Sequence, residues 1–333
     1  MQPTLNVAEA ELLFHFISRV APTFVAVDEE ESWRDPFVKF WKDNVPRLAF
    51  MHHFVLHLMY AIAAYHLAFT KDDRNERDHY ITLAGDHLSR GVTEMTKTLS
   101  SINDDNCQAL YIGAALVCYS TFAAGPTGPS DLLICDVDDE REHRCMPMIH
   151  GVRLIHTTVD SSILYSGLMA PLGPSDEVSN NTGPTFAREG FPRIAWEGAL
   201  DKLHNFVSDD ESSNRDIYIR ALDGLIQTYN AIFGIGDGEY DGPPEYGFVF
   251  GWLYRLNNDY ISCVRRREAP ALLILAYYAV LFGTMKNAWF VQGWSGHLLS
   301  RITNFVGDEY YKWLEWPKCH ILASHDETGA SSV

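Results

Sequence analysis

The chain has 333 residues, of which 47% are hydrophobic and 21% are charged, and both values are ordinary for a globular protein. Its 44 acidic and 26 basic side chains give a formal net charge of −18. Because such a charge repels phosphate backbones, the composition excludes nucleic acid as a partner of the general surface of this chain.

The predicted elements are helices along nearly the whole chain, because apolar residues recur every three to four positions and strand-like alternation is nearly absent. In chain order we predict helices at 9–20, 46–69, 77–99, 107–122 and 147–165, a loop rich in turn-forming residues at 167–192, and helices at 196–207, 214–233, 248–266, 268–287 and 289–305. The sequence therefore predicts an all-α fold, an irregular multi-helix domain over residues 1–320 followed by a flexible tail at 321–333.

Two uncharged segments, 48–69 and 269–285, have the composition of membrane-spanning helices. The first contains four histidines, which a lipid-facing helix rarely carries, and the second has only 17 residues. We interpret both as central helices of the fold and predict no membrane span.

The six cysteines include no C-x-x-C pair, so their spacing predicts neither a zinc site nor a disulfide framework. They are typical of a reduced intracellular protein, and the N-terminus lacks the pattern of a signal peptide. We therefore predict a cytoplasmic location, or a nuclear one if the chain is part of a transcription factor.

Strong enzyme motifs such as a P-loop, a G-x-S-x-G elbow or H-E-x-x-H are missing from the sequence, which predicts no cofactor and no metal. His53, His57 and Tyr60 share one face of a predicted helix. They are either satisfied core residues or hydrogen-bonding groups that face a ligand pocket, and no carboxylate on that helix completes a metal site.

The last third of the chain is rich in aromatic residues, which serve either as core or as the lining of an apolar pocket. Gly293 would admit close approach of a ligand, and Arg153 could contribute a cationic donor beside a glycine-valine segment. The candidate ligand-binding residues of this region are Trp252, Tyr277, Met285, Trp289, Gly293, Trp294 and His297, and Gln292 is a candidate hydrogen-bond donor.

Five stretches, in this order, resemble the C-terminal regulatory domain of fungal zinc-cluster transcription factors, particularly the sterol-uptake-control type. They are "ELLFHF" with "VPRLAFMHHFVLHLMYAIAAYHLA", then "HYITLAGDHLSRGV", "PMIHGVRLI", "APALLILAYYAVLF" and "WFVQGWSGHLLSRI". The resemblance implies an all-helical domain that encloses an apolar pocket for a sterol. The cysteine cluster of the DNA-binding module is not in this sequence, so the chain is either a part of such a factor or a stand-alone member.

Stand-alone members of this kind include cofactor-free pericyclases, hetero-Diels–Alderases that join a terpene to a quinone methide. On that resemblance the first hypothesis is a pericyclase that binds a hydrophobic terpenoid, with His57, Tyr60, Arg153 and Gln292 as catalytic donors. The alternative is a regulatory domain that senses a sterol or another lipid. A homodimer is left open in both.

Overall fold

Helix follows helix throughout the computed structural model, which describes residues 6–24, 36–139, 146–173, 194–234, 246–285 and 288–329. Within these ranges the only β-type pairing is an isolated antiparallel bridge between Asp131 and Asp136. The predicted all-α fold class is therefore confirmed.

The chain divides into two compact units, which we describe separately. Unit 1 comprises Met1–Gly125, Arg144–Val178 and Asn287–Phe290, and unit 2 comprises Pro126–His143, Ser179–Lys286 and Val291–Val333. The prediction of a single domain over residues 1–320 stays a prediction.

Unit 1 is built around a long apolar helix that packs against its two successors in the chain. Its helices are α1 (Val7–His15), α2 (Pro36–Lys39), α3 (Val45–Met51), α4 (His53–Thr70), α5 (Arg74–Leu99), α6 (Cys107–Ala123), α7 (Met146–Thr158) and α8 (Ser161–Leu164). Two glycines allow α4 to approach its neighbours: a Cβ at Gly91 of α5 would lie 2.7 Å from Leu58 Cδ2, and one at Gly113 of α6 would lie 3.0 Å from Phe54. The close packing of α4 therefore depends on these missing side chains.

The prediction of one continuous helix at 46–69 is wrong. His52 is extended, with φ −133° and ψ 93°, and it separates α3 from α4. Neither glycine nor proline marks this position, so the sequence carried no local signal for the break. The consequence is that α4 begins at His53 as a separate helix.

The helix α4 is also the one candidate membrane span among the described residues, by length and composition alone. About three fifths of it (61% of its residues) are buried inside the fold, as in the core helix that the sequence predicted. The second uncharged segment forms α13, which is shorter and buried along nearly its whole length.

Unit 2 is organised around α13. Its helices are α9 (Glu197–Ser208), α10 (Arg215–Phe233), α11 (Tyr246–Arg255), α12 (Asn258–Arg265), α13 (Ala269–Thr284), α14 (Trp294–Phe305) and α15 (Tyr311–Gly329). Thirteen consecutive residues of α13, from Pro270 to Phe282, are buried. An apolar surface on all sides of a helix requires protein on all sides, which explains why α13 is central.

Two predicted helix boundaries in the last third of the chain are wrong for identifiable reasons. The helix predicted at 248–266 ends at Arg255 and restarts at Asn258, because the Asn257 side chain accepts the Tyr260 amide and caps α12. The helix predicted from Trp289 begins only at Trp294, because Gly293 has a φ of 84°. Finally, α15 continues to Gly329, so the predicted tail at 321–333 starts within a helix, and its flexibility stays a prediction.

The predicted loop at 167–192 begins with a 3-10 turn over Gly167–Leu172, and its residues from 174 onwards lie outside the described ranges. The described cysteines are unpaired, and Cys107, Cys135 and Cys263 are buried. Burial raises the pKa of the Cys135 thiol to about 12, which keeps it protonated and unreactive. Cys319, by contrast, is exposed. The reduced state of the thiols stays a prediction.

Candidate functional site

Two open depressions in unit 2 offer ligand-sized space among the described residues. The larger has a volume of about 540 Å³, and the smaller about 120 Å³. The enclosed apolar pocket expected from the sequence stays a prediction. The larger depression, which we call the aromatic groove, falls within the roughly 300–1,000 Å³ typical of sites for small molecules.

Aromatic rings from α13 and α15 form one side of the aromatic groove. Tyr277 and Trp316 stack with a centroid distance of 5.0 Å and an interplanar angle of 21°. Trp313, one turn earlier on α15, is tilted against Phe206 of α9 at 4.8 Å. Tyr277 is buried, whereas Trp313 and Trp316 are half-buried, so the two indoles present apolar surface at the opening.

Small residues in α9 and just before it also line the aromatic groove. Ala195, Gly198 and Ala199 line it, and a Cβ at Gly198 would meet no other atom within 4 Å. The Trp316 indole nitrogen donates to the carbonyl of Ala195 at 3.2 Å, which fixes the orientation of that ring. The aromatic groove is therefore open beside Gly198, whereas Phe206, further along α9, packs on Trp313.

Charged side chains border the aromatic groove: two lysines, Lys202 and Lys312, and two carboxylates, Glu197 and Glu315. The Lys312 ammonium lies 5.4 Å from the centroid of the Trp313 ring. Burial raises the pKa of Tyr277 to about 12, so its hydroxyl stays protonated at neutral pH. The arrangement combines an apolar wall with a few polar groups, which suits a mainly hydrophobic molecule that carries a hydroxyl or carboxyl group.

The predicted donors on α4 lie in unit 1 and contact each other. His57 Nδ1 is 3.1 Å from Nδ1 of His87, and the Tyr60 ring packs edge-on against the His87 ring at 5.2 Å. His53, by contrast, is exposed. Burial, and then the neighbouring His57, lowers the pKa of His87, which therefore stays neutral. The result is a polar contact that links α4 to α5.

A second histidine pair connects α1 to α4. His15 Nε2 lies 2.9 Å from His66 Nδ1, and burial lowers the pKa of His66 to about 4, helped by His15 and Arg19. The candidate ligand residue Trp289 packs edge-on against His66 at 4.8 Å. Its indole nitrogen donates to Thr23 Oγ1 at 3.0 Å, and only 6% of the residue is exposed. Trp289 therefore occupies the core of unit 1.

The remaining candidates of the closing region lie in unit 2 and are dispersed. Trp294 is buried and packs edge-on against His297, whose Nε2 lies 2.7 Å from the carbonyl of Asp131. Gln292 is exposed, and Gly293 occupies the left-handed conformation that starts α14. Gly293 thus serves the turn, and its predicted role beside a ligand stays a prediction.

The last three candidates have different surroundings. Met285 is buried just after the end of α13, and Arg153 is half-buried on α7 of unit 1. Trp252 is buried in unit 2, where it stacks on Tyr278 at 4.3 Å and borders the smaller depression. Among the predicted ligand residues, Tyr277 and Trp252 thus reach an open depression.

Sequence reasoning missed Trp313 and Trp316, the two indoles of the aromatic groove. Their spacing of three residues in "KWLEWPK" places both on one face of a helix, and this signal was available in the sequence. In the described part of the chain, no three histidine, cysteine or carboxylate side chains are grouped so as to hold a metal ion.

Residues 11–136 match the sequence profile of the fungal specific transcription factor domain. The chain is also similar to the Sterol uptake control protein 2 of Candida albicans (strain SC5314), with 28% identity over 130 residues. That alignment covers 39% of this chain and 16% of the relative, so it spans a small part of the longer protein. The predicted resemblance is confirmed over this stretch, most of which belongs to unit 1.

Proposed function

We propose that this protein, whose residues 11–136 match the fungal specific transcription factor domain, is a regulatory domain. It responds to a hydrophobic small molecule of the sterol or lipid class. The observation that carries the ligand part of the proposal is the aromatic groove of unit 2. The match to a transcription factor domain supports the regulatory part and a nuclear place of action.

The aromatic groove suits such a ligand in both size and chemistry. The exposed faces of Trp313 and Trp316 provide flat apolar contact, and burial of apolar ligand surface is the main driving force for binding of this kind. Lys202 and Glu197 of α9 and Lys312 and Glu315 of α15 border the opening. They can hydrogen-bond to a single polar group at one end of the ligand, which orients it.

The experiment is a titration of the purified chain with a fluorescent sterol, followed by energy transfer from tryptophan. We expect saturable binding at the aromatic groove. Two indoles line this groove, so the bound sterol should receive energy from them. The variant Gly198→Phe should weaken binding by about tenfold or more, since its ring occupies space that ligand contacts now fill. It should fold normally, because no atom lies within 4 Å of the added Cβ.

The matched control is Gly85→Phe on α5 of unit 1, where an added Cβ likewise meets nothing within 4 Å. Its sterol affinity should equal that of the unmodified chain. Absence of saturable sterol binding, or equal loss of affinity in both variants, would contradict the proposal. The pericyclase activity implied by stand-alone relatives stays a prediction, and this experiment does not depend on it.

A further inference from the structure

Five tyrosines in the described part of unit 2 are buried, and their hydroxyl groups have different surroundings. At most 3% of each residue is exposed, and the five are Tyr218, Tyr229, Tyr260, Tyr277 and Tyr278. A buried hydroxyl group that has lost its water normally bonds to a protein group instead, because an unpaired one is costly. The five residues therefore allow a direct comparison within one fold.

Four of the five hydroxyl groups donate to a protein acceptor of unit 2. The acceptor is a backbone carbonyl for three of them and a carboxylate for the fourth. The pairs are Tyr229 with the carbonyl of Tyr277 at 2.7 Å, Tyr260 with that of Ala271 at 2.9 Å, Tyr278 with that of Val249 at 3.2 Å, and Tyr218 with the side chain of Glu268. These four hydroxyl groups are satisfied by the fold itself.

The hydroxyl group of Tyr277 is the exception. Among the described residues, no side-chain or backbone group forms a hydrogen bond with it. The side-chain atoms of this part of the chain that are fully enclosed without a partner are Ser120 Oγ, Arg265 Nε and Arg301 Nε, and Tyr277 Oη is not one of them. This oxygen therefore keeps contact with solvent, although the residue as a whole is only 3% exposed.

The surroundings hold the Tyr277 side chain in one place. The residue lies within the stretch of α13 that is buried from Pro270 to Phe282, and its ring stacks on that of Trp316 at 5.0 Å. The Trp316 indole nitrogen donates in turn to the carbonyl of Ala195 at 3.2 Å. A hydroxyl group on a ring fixed in this way loses little conformational freedom when a ligand binds to it.

Tyr277 lies deeper in the aromatic groove than the two indoles that line it. Trp313 and Trp316 are half-buried and border the opening, whereas Tyr277 is almost completely buried. Burial raises the pKa of Tyr277 to about 12, so its hydroxyl group carries a proton at neutral pH and can donate it. The groove thus combines an inner hydrogen-bond donor with an outer apolar wall.

We propose that the Tyr277 hydroxyl group opens into the aromatic groove and donates a hydrogen bond to a hydroxyl or carbonyl oxygen of the ligand. The apolar body of this ligand lies along Trp313 and Trp316. Tyr277 then selects a ligand that carries an oxygen over a hydrocarbon of the same shape, because the hydrocarbon leaves the Tyr277 hydroxyl group without a partner. This inference rests on the function proposed above and assigns the polar contact to the inner part of the groove, not to the charged side chains at its opening.

The test compares cholesterol with cholestene, which has the same skeleton without the hydroxyl group, as competitors that displace a fluorescent sterol from the whole chain. The unmodified chain should bind cholesterol about tenfold more tightly than cholestene, which corresponds to one hydrogen bond. The variant Tyr277→Phe should lose this preference. A general change in the shape of the groove alters both affinities, so the ratio of the two reports on the hydroxyl contact.

The matched control is Tyr278→Phe, because the hydroxyl group of Tyr278 bonds to Val249 and its residue is outside the lining of the aromatic groove. This variant should keep the preference for cholesterol and should lower the melting temperature, since it removes a buried hydrogen bond. Tyr277→Phe should not lower the melting temperature, because its hydroxyl group has no protein partner to lose.

The outcomes separate this inference from the proposed function. Saturable sterol binding with an unchanged preference for cholesterol in Tyr277→Phe would refute the role of Tyr277 and leave the proposed function intact. Loss of the preference in Tyr278→Phe as well would also refute it. No saturable sterol binding by the unmodified chain would refute both the inference and the function.

Discussion

The two units differ in how far their polar and aromatic side chains are enclosed by neighbours. In unit 1 the histidines of α4 pair with histidines of α5 and α1, and Trp289 is enclosed with its nitrogen bonded to Thr23. In unit 2 the rings of Trp313 and Trp316 keep part of their surface on an open depression. The same residue types therefore complete a core in one unit and line a surface site in the other.

The difference comes from the neighbours of each ring. Trp289 is surrounded by His66, Phe69 and Phe290, whose rings fill the space around it. Trp316 lines the aromatic groove together with the small residues Ala195 and Gly198. Aromatic neighbours thus enclose Trp289, whereas Trp316 keeps accessible surface beside small ones.

The largest expected effect is that of Trp289→Ala in unit 1. Because the residue is 6% exposed and packed on all sides, its loss should lower the free energy of unfolding by about 3–5 kcal/mol. Chemical denaturation measures this, and hydrogen exchange should show the greatest loss of protection in α1 and α4. Gln292→Ala, three residues later and exposed, should change stability by less than about 0.5 kcal/mol. A well-folded Trp289→Ala chain of normal stability would place this residue outside the core.

A smaller effect is expected from Gly91→Ala, which tests the approach of α5 to α4. The new Cβ would lie 2.7 Å from Leu58 Cδ2 and 3.1 Å from the carbonyl of Phe54, so the helices must separate slightly. We expect a loss of about 1–3 kcal/mol in the free energy of unfolding. Gly85→Ala on the same helix should instead gain up to about 1 kcal/mol. Equal effects of the two substitutions would contradict the close packing of α4 and α5.

The smallest effect concerns acid, and it should be specific to unit 1. The pKa of His66 is about 4 in the folded chain and about 6.5 when unfolded, so the unfolded chain binds the proton more tightly. The neutral His66 ring contributes fully to the free energy of unfolding above pH 6.5, and this contribution is lost as the pH falls towards 4. After allowance for partial exposure, this amounts to roughly 1–2 kcal/mol.

Urea denaturation of the unmodified chain and of His66→Gln, at a series of pH values between 4 and 7, measures that contribution. The variant should lose less stability than the unmodified chain over this interval. Parallel curves for the two proteins would show that His66 is not the group responsible.

The sequence by itself determined the helical class and the central place of α4 and α13, because apolar period and composition are local properties of the chain. The resemblance that it predicted runs from about residue 9 to residue 316, and the profile match confirms it over residues 11–136. It also contained Tyr277 and Trp252, which border the two depressions but are only 3% and 1% exposed. It did not show that Trp313 and Trp316 provide the accessible wall, because that wall forms only when α9, α13 and α15 pack together.

Tertiary structure likewise decided which partners the α4 histidines have. Their spacing placed His57 and Tyr60 on one face, yet the partner that engages them, His87, comes from α5, thirty residues away. The break at His52 carries no sequence signal at all. Hydrogen-bond partners and packing neighbours are distant in the chain, so whether a polar ring is a satisfied core residue or a ligand contact is settled only when the helices meet.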